Sequence, residues 1–275
     1  MDKKLEELLH SFKSHGSITL LTGAGISAES NIPTFRGSEG YWNIGSKHYH
    51  PQEMATYRMF SLSPYEVWKW YLYRRYICNH ANANKGHLAI VKLEQNLKDR
   101  FSLITQNVDG LHIRAGNSRE RICEIHGNIN LMRCSGECSH KTFEIPTRLE
   151  FEHKEMELSA EERALLICPE CLTLARPHIL WFDECYNEIY YKFETSMSIT
   201  EKTDLLIVIG TTGNTTLPSR IISSVMRKNK PIIIVDPFEN DVTSMVSQYH
   251  MGYYLPCKSG EILPELCKTV SSEQG

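Results

Sequence analysis

Five short, mostly β-branched runs punctuate the chain: ITLL (18–21), FSLITQN (101–107), HILWF (178–182), LLIVIG (205–210) and IIIVD (232–236). Each is apolar on both faces, which a strand tolerates only when helices cover the sheet on both sides. Between the last two runs, SRIISSVMRKNK (219–230) has its apolar residues placed for a crossover helix. The pattern predicts an α/β fold, a doubly wound Rossmann-like parallel sheet. A chain of 275 residues has room for such a domain and a smaller companion. The expected division assigns 1–37, 96–127 and 176–275 to the sheet domain. The small domain then takes a helical part at 38–95, rich in aromatics, and a zinc-binding part at 128–175 around the charged insert RLEFEHKEMELSAEERA.

At 41% hydrophobic and 23% charged residues, the composition excludes disordered and collagen-like classes. A net charge of −3 without a long Lys/Arg run predicts no nucleic-acid partner. No stretch reaches the ~18 consecutive apolar residues of a membrane span, so no membrane association is expected. The first residues, MDKKLEELLHSFKSHGS, read as an amphipathic helix with Leu5, Leu8, Leu9 and Phe12 on one face, not as a signal peptide. Nine cysteines, two pairs of them at metal-ligand spacing, favour a reducing compartment; the expectation is cytoplasmic, with an organelle matrix second.

Those pairs are Cys134 with Cys138 and Cys168 with Cys171. Four thiolates arranged so predict one closed, structural zinc site, with His140 near enough to compete as a ligand. Cys78, Cys123, Cys185, Cys257 and Cys267 lack partner spacing and read as ordinary thiols.

Gly23, Gly25 and Ala28 form G-x-G-x-x-A directly after the first strand, a turn suited to a pyrophosphate at a helix N-terminus. A dehydrogenase would place an acid about 20 residues on to hold the ribose. Here NIPTFRGSEGYW follows instead, and the acid at a strand end is the late Asp236. Gln106, Asn107, Asp109 and His112 stand beyond the second strand, where open sheets bind ligands, or where polar residues merely cap a turn. His126 follows in CEIHGN, before a glycine that leaves space beside its ring.

GAGISAESNIPTFRG, TQNVDGLH, EIHGN, the cysteine pairs, RPHILWFDE and a Gly-Thr-Thr strand end occur in the order found in sirtuins. Over roughly residues 15–265 the chain resembles this Sir2 family of NAD-dependent protein lysine deacylases. The resemblance implies that NAD is a consumed co-substrate and that acylated lysine side chains of proteins are the partners. The acyl oxygen attacks the ribose carbon, nicotinamide leaves and an alkylimidate forms. His126 then acts as general base on a ribose hydroxyl. Asn107, also a catalytic residue on this resemblance, and Asp109 position ribose and nicotinamide, with Gln106 beside them. Phe35 shields the nicotinamide, and Arg36 orients phosphate or ribose. Gly23, Ala24, Gly25, Ala28, Glu29 and Thr34 complete the loop side of the NAD site. Gly210, Thr211, Thr212, Asp236 and Ser259 stand on its adenosine side.

Tyr71 and Arg74, three apart in PYEVWKWYLYRRY, share a helix face. By themselves they read as a packed aromatic and a solvated cation. Within the resemblance they match the Tyr-x-x-Arg pair of the desuccinylase and demalonylase branch, with Ala55 as the small residue that leaves the acyl pocket roomy. Alternatives on the same scaffold are a deacetylase, an NAD glycohydrolase or ADP-ribosyltransferase, and an idle NAD-sensing module. The chain departs from the family pattern at Asn31, where glycine is common, at Asp236, where asparagine is, and in Gly213 to Leu217.

Overall fold

The computed structural model describes residues 2–33 and 51–271. Its strands are β1 (Ile18–Thr22), β2 (Phe101–Thr105), β3 (Ile122–Glu124), β4 (Gly127–Cys134), β5 (Thr142–Glu144), β6 (Ala175–Ile179), β7 (Leu205–Ile209), β8 (Ile232–Val235) and β9 (Gly252–Leu255). Six form a parallel sheet in the order β3-β2-β1-β7-β8-β9. The central β1, β7 and β8 are buried at every position, as their apolar sequences require. One face is covered by the helices Lys3–Ser11, Lys85–Leu97 and Ser259–Val270, which bury Leu5, Ile90 and Leu266 against it. The other face carries Phe193–Lys202, Thr216–Arg227 and Asp241–Gln248, with Ile221 and Val246 in its core. No helix among the described residues is long and apolar enough to cross a membrane.

Two sequence expectations need correction. The HILWF run does not join the parallel sheet: β6 pairs antiparallel with β4, which pairs antiparallel with β5, making a separate three-stranded sheet. Burial on both faces is common to a central parallel strand and to one enclosed in a second domain, so apolar pattern does not separate them. All five residues of β6 are buried, and Trp68 Nε1 donates to the Ala175 carbonyl at 2.9 Å. The helix Lys85–Leu97, grouped by sequence with the small domain, packs instead on Ser259–Val270 and β2. Its Asn84 N-cap accepts from the Gly86 and His87 amides, ending the excursion some ten residues earlier than expected. The short β3 and β9 also extend the sheet beyond the strands read from sequence.

The small domain wraps the helix Pro64–His80 almost completely. Trp68, Trp70, Tyr71 and Leu72 are buried with Leu149 and Phe151 of the charged insert and Trp181. That insert is helical only at Ala160–Ala164; its apolar residues plug the core from irregular chain.

Candidate active site and zinc centre

β1 pairs with β2 on one side and β7 on the other, so the connections leave in opposite directions and open a crevice at the strands' carboxyl ends. Here main chain meets main chain. Gly25 N–H donates to the Gly210 carbonyl at 2.9 Å, and Gly23 N–H to Ile209 at 2.9 Å. A Cβ on Gly25 would stand 2.5 Å from Gly210 Cα, and one on Gly210, whose φ is +59°, 2.6 Å from Gly25 Cα. These glycines are therefore required first by the close approach of two loops. Ala24 precedes a helix of one turn, Gly25–Ala28. Asn31 has φ +60°, the left-handed conformation that asparagine tolerates in place of glycine. Thr34, Phe35, Arg36 and Gly37 lie outside the described residues.

Ser27, which sequence reasoning missed, joins the first loop to the second. Asn107 Nδ2 donates to Ser27 Oγ at 3.1 Å, and Ser27 Oγ donates to Asp109 Oδ2 at 2.8 Å. All three are buried. Burial pushes the Asp109 carboxyl up, opposed by hydrogen bonds from the Leu111 amide and Ser27. Gln106 Nε2 donates to Thr211 Oγ1 at 2.8 Å, linking the β2 and β7 loops. Asn214 Nδ2 donates to Thr212 Oγ1 at 2.9 Å. Asp236 sits buried at the end of β8 and accepts from the Phe238 amide at 3.0 Å. Glu29 is engaged by protein: its Oε1 accepts from Ser259 Oγ at 2.7 Å and Gly260 N–H at 2.9 Å, fastening the last helix to the loop. His112 faces inward, 3.0 Å from Thr22 Oγ1, with burial holding its ring neutral.

His126 occupies the two-residue link between β3 of the large sheet and β4 of the small one. Its glycine neighbour serves a purpose other than the expected space beside the ring. Gly127 has φ +86°, and a Cβ there would lie 2.0 Å from the His178 carbonyl, so it permits β4 to meet β6. The half-buried His126 ring is pulled down to about 4 by desolvation, with the Gln106 main chain acting the other way. Its Nε2 lies 2.7 Å from the Tyr186 hydroxyl. Nearby, Asn128 Nδ2 donates to Glu124 Oε1 at 2.7 Å, and burial lifts that carboxyl to about 7.

Tyr71 and Arg74 are both buried, correcting the picture of a solvated arginine. Tyr71 OH accepts from Trp181 Nε1 at 3.0 Å and, desolvated, keeps its proton to about 12. The Arg74 guanidinium lies 4.5 Å from the centre of the Trp70 ring and 5.4 Å from that of Tyr71. Adjacent Arg75 donates from its three nitrogens to Asn130 Oδ1 and the carbonyls of Leu149 and Ile145. Trp181 is held in turn: Arg176 stacks 3.5 Å from its ring centre, and Glu184 accepts from its amide at 3.0 Å. Ala55 is buried, and its carbonyl accepts from Phe182 N–H at 3.0 Å, beside the same tryptophan.

Cys134, Cys138, Cys168 and Cys171 bring their sulfurs within 4.8 Å of one another. Cys134 to Cys171 is 3.5 Å and Cys138 to Cys168 is 3.6 Å. Those spacings are far beyond a disulfide, and near the roughly 3.8 Å between neighbouring sulfurs of a tetrahedral zinc with Zn–S of about 2.3 Å. Residues Glu137 (φ +51°) and Leu172 (φ +59°) turn the two knuckles. His140 points to Tyr190 OH at 3.4 Å instead. The donor set thus fits a closed structural zinc. Cys134 and His126 flank opposite ends of the eight-residue β4, roughly 25 Å apart at about 3.3 Å per residue, so the metal takes no part in chemistry at the crevice.

The profile of the Sir2 family matches residues 23–216. An NAD-dependent protein deacylase of Leptospira interrogans serogroup Icterohaemorrhagiae serovar Lai (strain 56601) is 38% identical over 255 residues, covering 92% of each chain. NAD-dependent protein deacylase 1 of Archaeoglobus fulgidus is 34% identical, over 96% of this chain and 97% of its own. A Sir2 homologue crystallised as its NAD complex superposes with a TM-score of 0.78 at 34% identity, covering 98% of this chain and 94% of that one. With the strand-end crevice, the histidine between the two sheets and the four-cysteine knuckle, these similarities establish that the chain belongs to the Sir2 family.

Proposed function

We propose that this Sir2-family enzyme, an NAD-dependent protein deacylase, prefers succinyl- or malonyl-lysine over acetyl-lysine. The carrying observation is the pair Tyr71 and Arg74, both buried on one face of the helix Pro64–His80, with Tyr71 held by the Trp181 indole N–H and the Arg74 guanidinium packed over the Trp70 and Tyr71 rings. A protonated phenol and a guanidinium out of water are complementary to an acyl carboxylate. Such charge-assisted hydrogen bonds contribute about 1.5–3 kcal/mol each when water is excluded. An acetyl group supplies no counter-charge.

In this reading the crevice divides NAD. Asn107 and Asp109, braced by Ser27, orient ribose and nicotinamide with Gln106. Gly210, Thr211, Thr212 and Asp236 meet the adenosine half, and a carboxylate at Asp236 disfavours a 2′-phosphate. His126, neutral through the physiological range, accepts the ribose hydroxyl proton after nicotinamide has left. Glu29 and Ser259 act by fixing the loop to the last helix.

The test is turnover of matched acetyl-, malonyl- and succinyl-lysine peptides with NAD. The expected result is a kcat/KM at least about tenfold higher for the acidic acyl groups, the value of one charge-assisted hydrogen bond. Preference for acetyl overturns the assignment.

A further inference from the structure

His126 is the base in the reading above, yet its Nε2 is already taken. The Tyr186 hydroxyl stands 2.7 Å from it, while the Gln106 main chain acts on the same ring. The Thr215 hydroxyl, a neighbour that opposes the upward push of burial on the Tyr186 phenol, donates its proton to Gln106 Oε1 at 3.3 Å. Gln106 in turn donates to Thr211. Thr215 belongs to Gly213–Leu217, the stretch that departs most from the sirtuin pattern.

We propose that Tyr186 is a proton relay between the ribose hydroxyl and His126. The inference rests on the reading of His126 as general base. In the step, the ribose O–H bond breaks and its proton moves to Tyr186 Oη. The phenolic O–H bond breaks in the same event, and its proton forms the N–H bond at His126 Nε2. The ribose oxygen keeps the electron pair that attacks the acyl carbon, so the phenol ends neutral and the imidazole ends as imidazolium. A phenol suits this because one oxygen accepts and donates together. Desolvation keeps Tyr186 protonated to about 12, so it does not compete as a base.

Expulsion of nicotinamide precedes the histidine's step, so the two are separable by assay. Full-length Tyr186→Phe and Thr215→Val are compared with wild type for exchange of labelled nicotinamide into NAD and for formation of deacylated peptide, using the acyl peptide that wild type turns over best. The relay predicts that the ratio of product formation to exchange falls about 10- to 100-fold in Tyr186→Phe, within the range that general-base catalysis spans. In Thr215→Val, which leaves the phenol and its contact with His126 in place, the ratio stays close to that of wild type. An unchanged or increased ratio in Tyr186→Phe overturns the relay, as does an equal loss of both rates, which marks a structural role. Wild type that exchanges no nicotinamide and forms no product refutes the reading of the site itself, a result distinct from an active wild type with an indifferent Tyr186→Phe.

Discussion

The crevice has two unlike walls. On the large-sheet side, position is set by main chain: Gly25 against Gly210, the Gly23 amide on Ile209, and side chains that start one or two residues past a strand end. On the small-domain side, Tyr71, Arg74 and Trp181 are placed by aromatic and cation packing within a core of side chains. Backbone placement leaves little freedom, because a Cβ at Gly210 collides with Gly25 whatever residue supplies it. Side-chain placement can be retuned by one substitution. Under the proposed function, chemistry belongs to the first wall and acyl choice to the second.

If the walls are separable in this way, perturbing them should separate too. The largest effect belongs to the metal that ties the small sheet together. Cys168→Ser should lose the bound zinc equivalent and unfold the small domain, since structural zinc contributes about 10–16 kcal/mol of apparent binding energy in small zinc-folded units. Zinc content and near-ultraviolet circular dichroism check this; a folded, active variant without metal breaks the assignment. Next is His126→Ala, expected to slow product formation by about 10²–10⁴ while nicotinamide exchange persists. Equal loss of both would move the histidine's role to the first step. The smallest expected change is with pH. A base lowered to about 4 by burial is neutral well below the ordinary histidine range, and protonation abolishes it only as pH falls toward that value. The rate of product formation should stay flat from about pH 8 down to about 5.5; an acid limb centred near 6.5 contradicts that environment.

What could be read from sequence was what is encoded locally. A zinc knuckle needs two or three residues between its paired ligands, and Cys134-x₃-Cys138 and Cys168-x₂-Cys171 state that directly. Strands buried on both faces announced the parallel sheet through ITLL, LLIVIG and IIIVD. Ser27 and Tyr186 escaped notice because their partners are remote: Asp109 is 82 positions from Ser27, and His126 is 60 from Tyr186. β6 was misassigned for a related reason, since its burial comes from the helix Pro64–His80, a neighbour that periodicity does not reveal. Arg74 read by itself as solvated because helix spacing tells which residues share a face but not whether that face is enclosed.

The division of labour is tested most directly by the acyl-peptide panel run on wild type and Arg74→Met together. The account predicts that the succinyl-to-acetyl ratio of kcat/KM falls about 10- to 100-fold in Arg74→Met, the equivalent of about 1.5–3 kcal/mol in acyl recognition. A ratio equal in the two proteins would contradict it and return the choice of acyl group to some other part of the cleft.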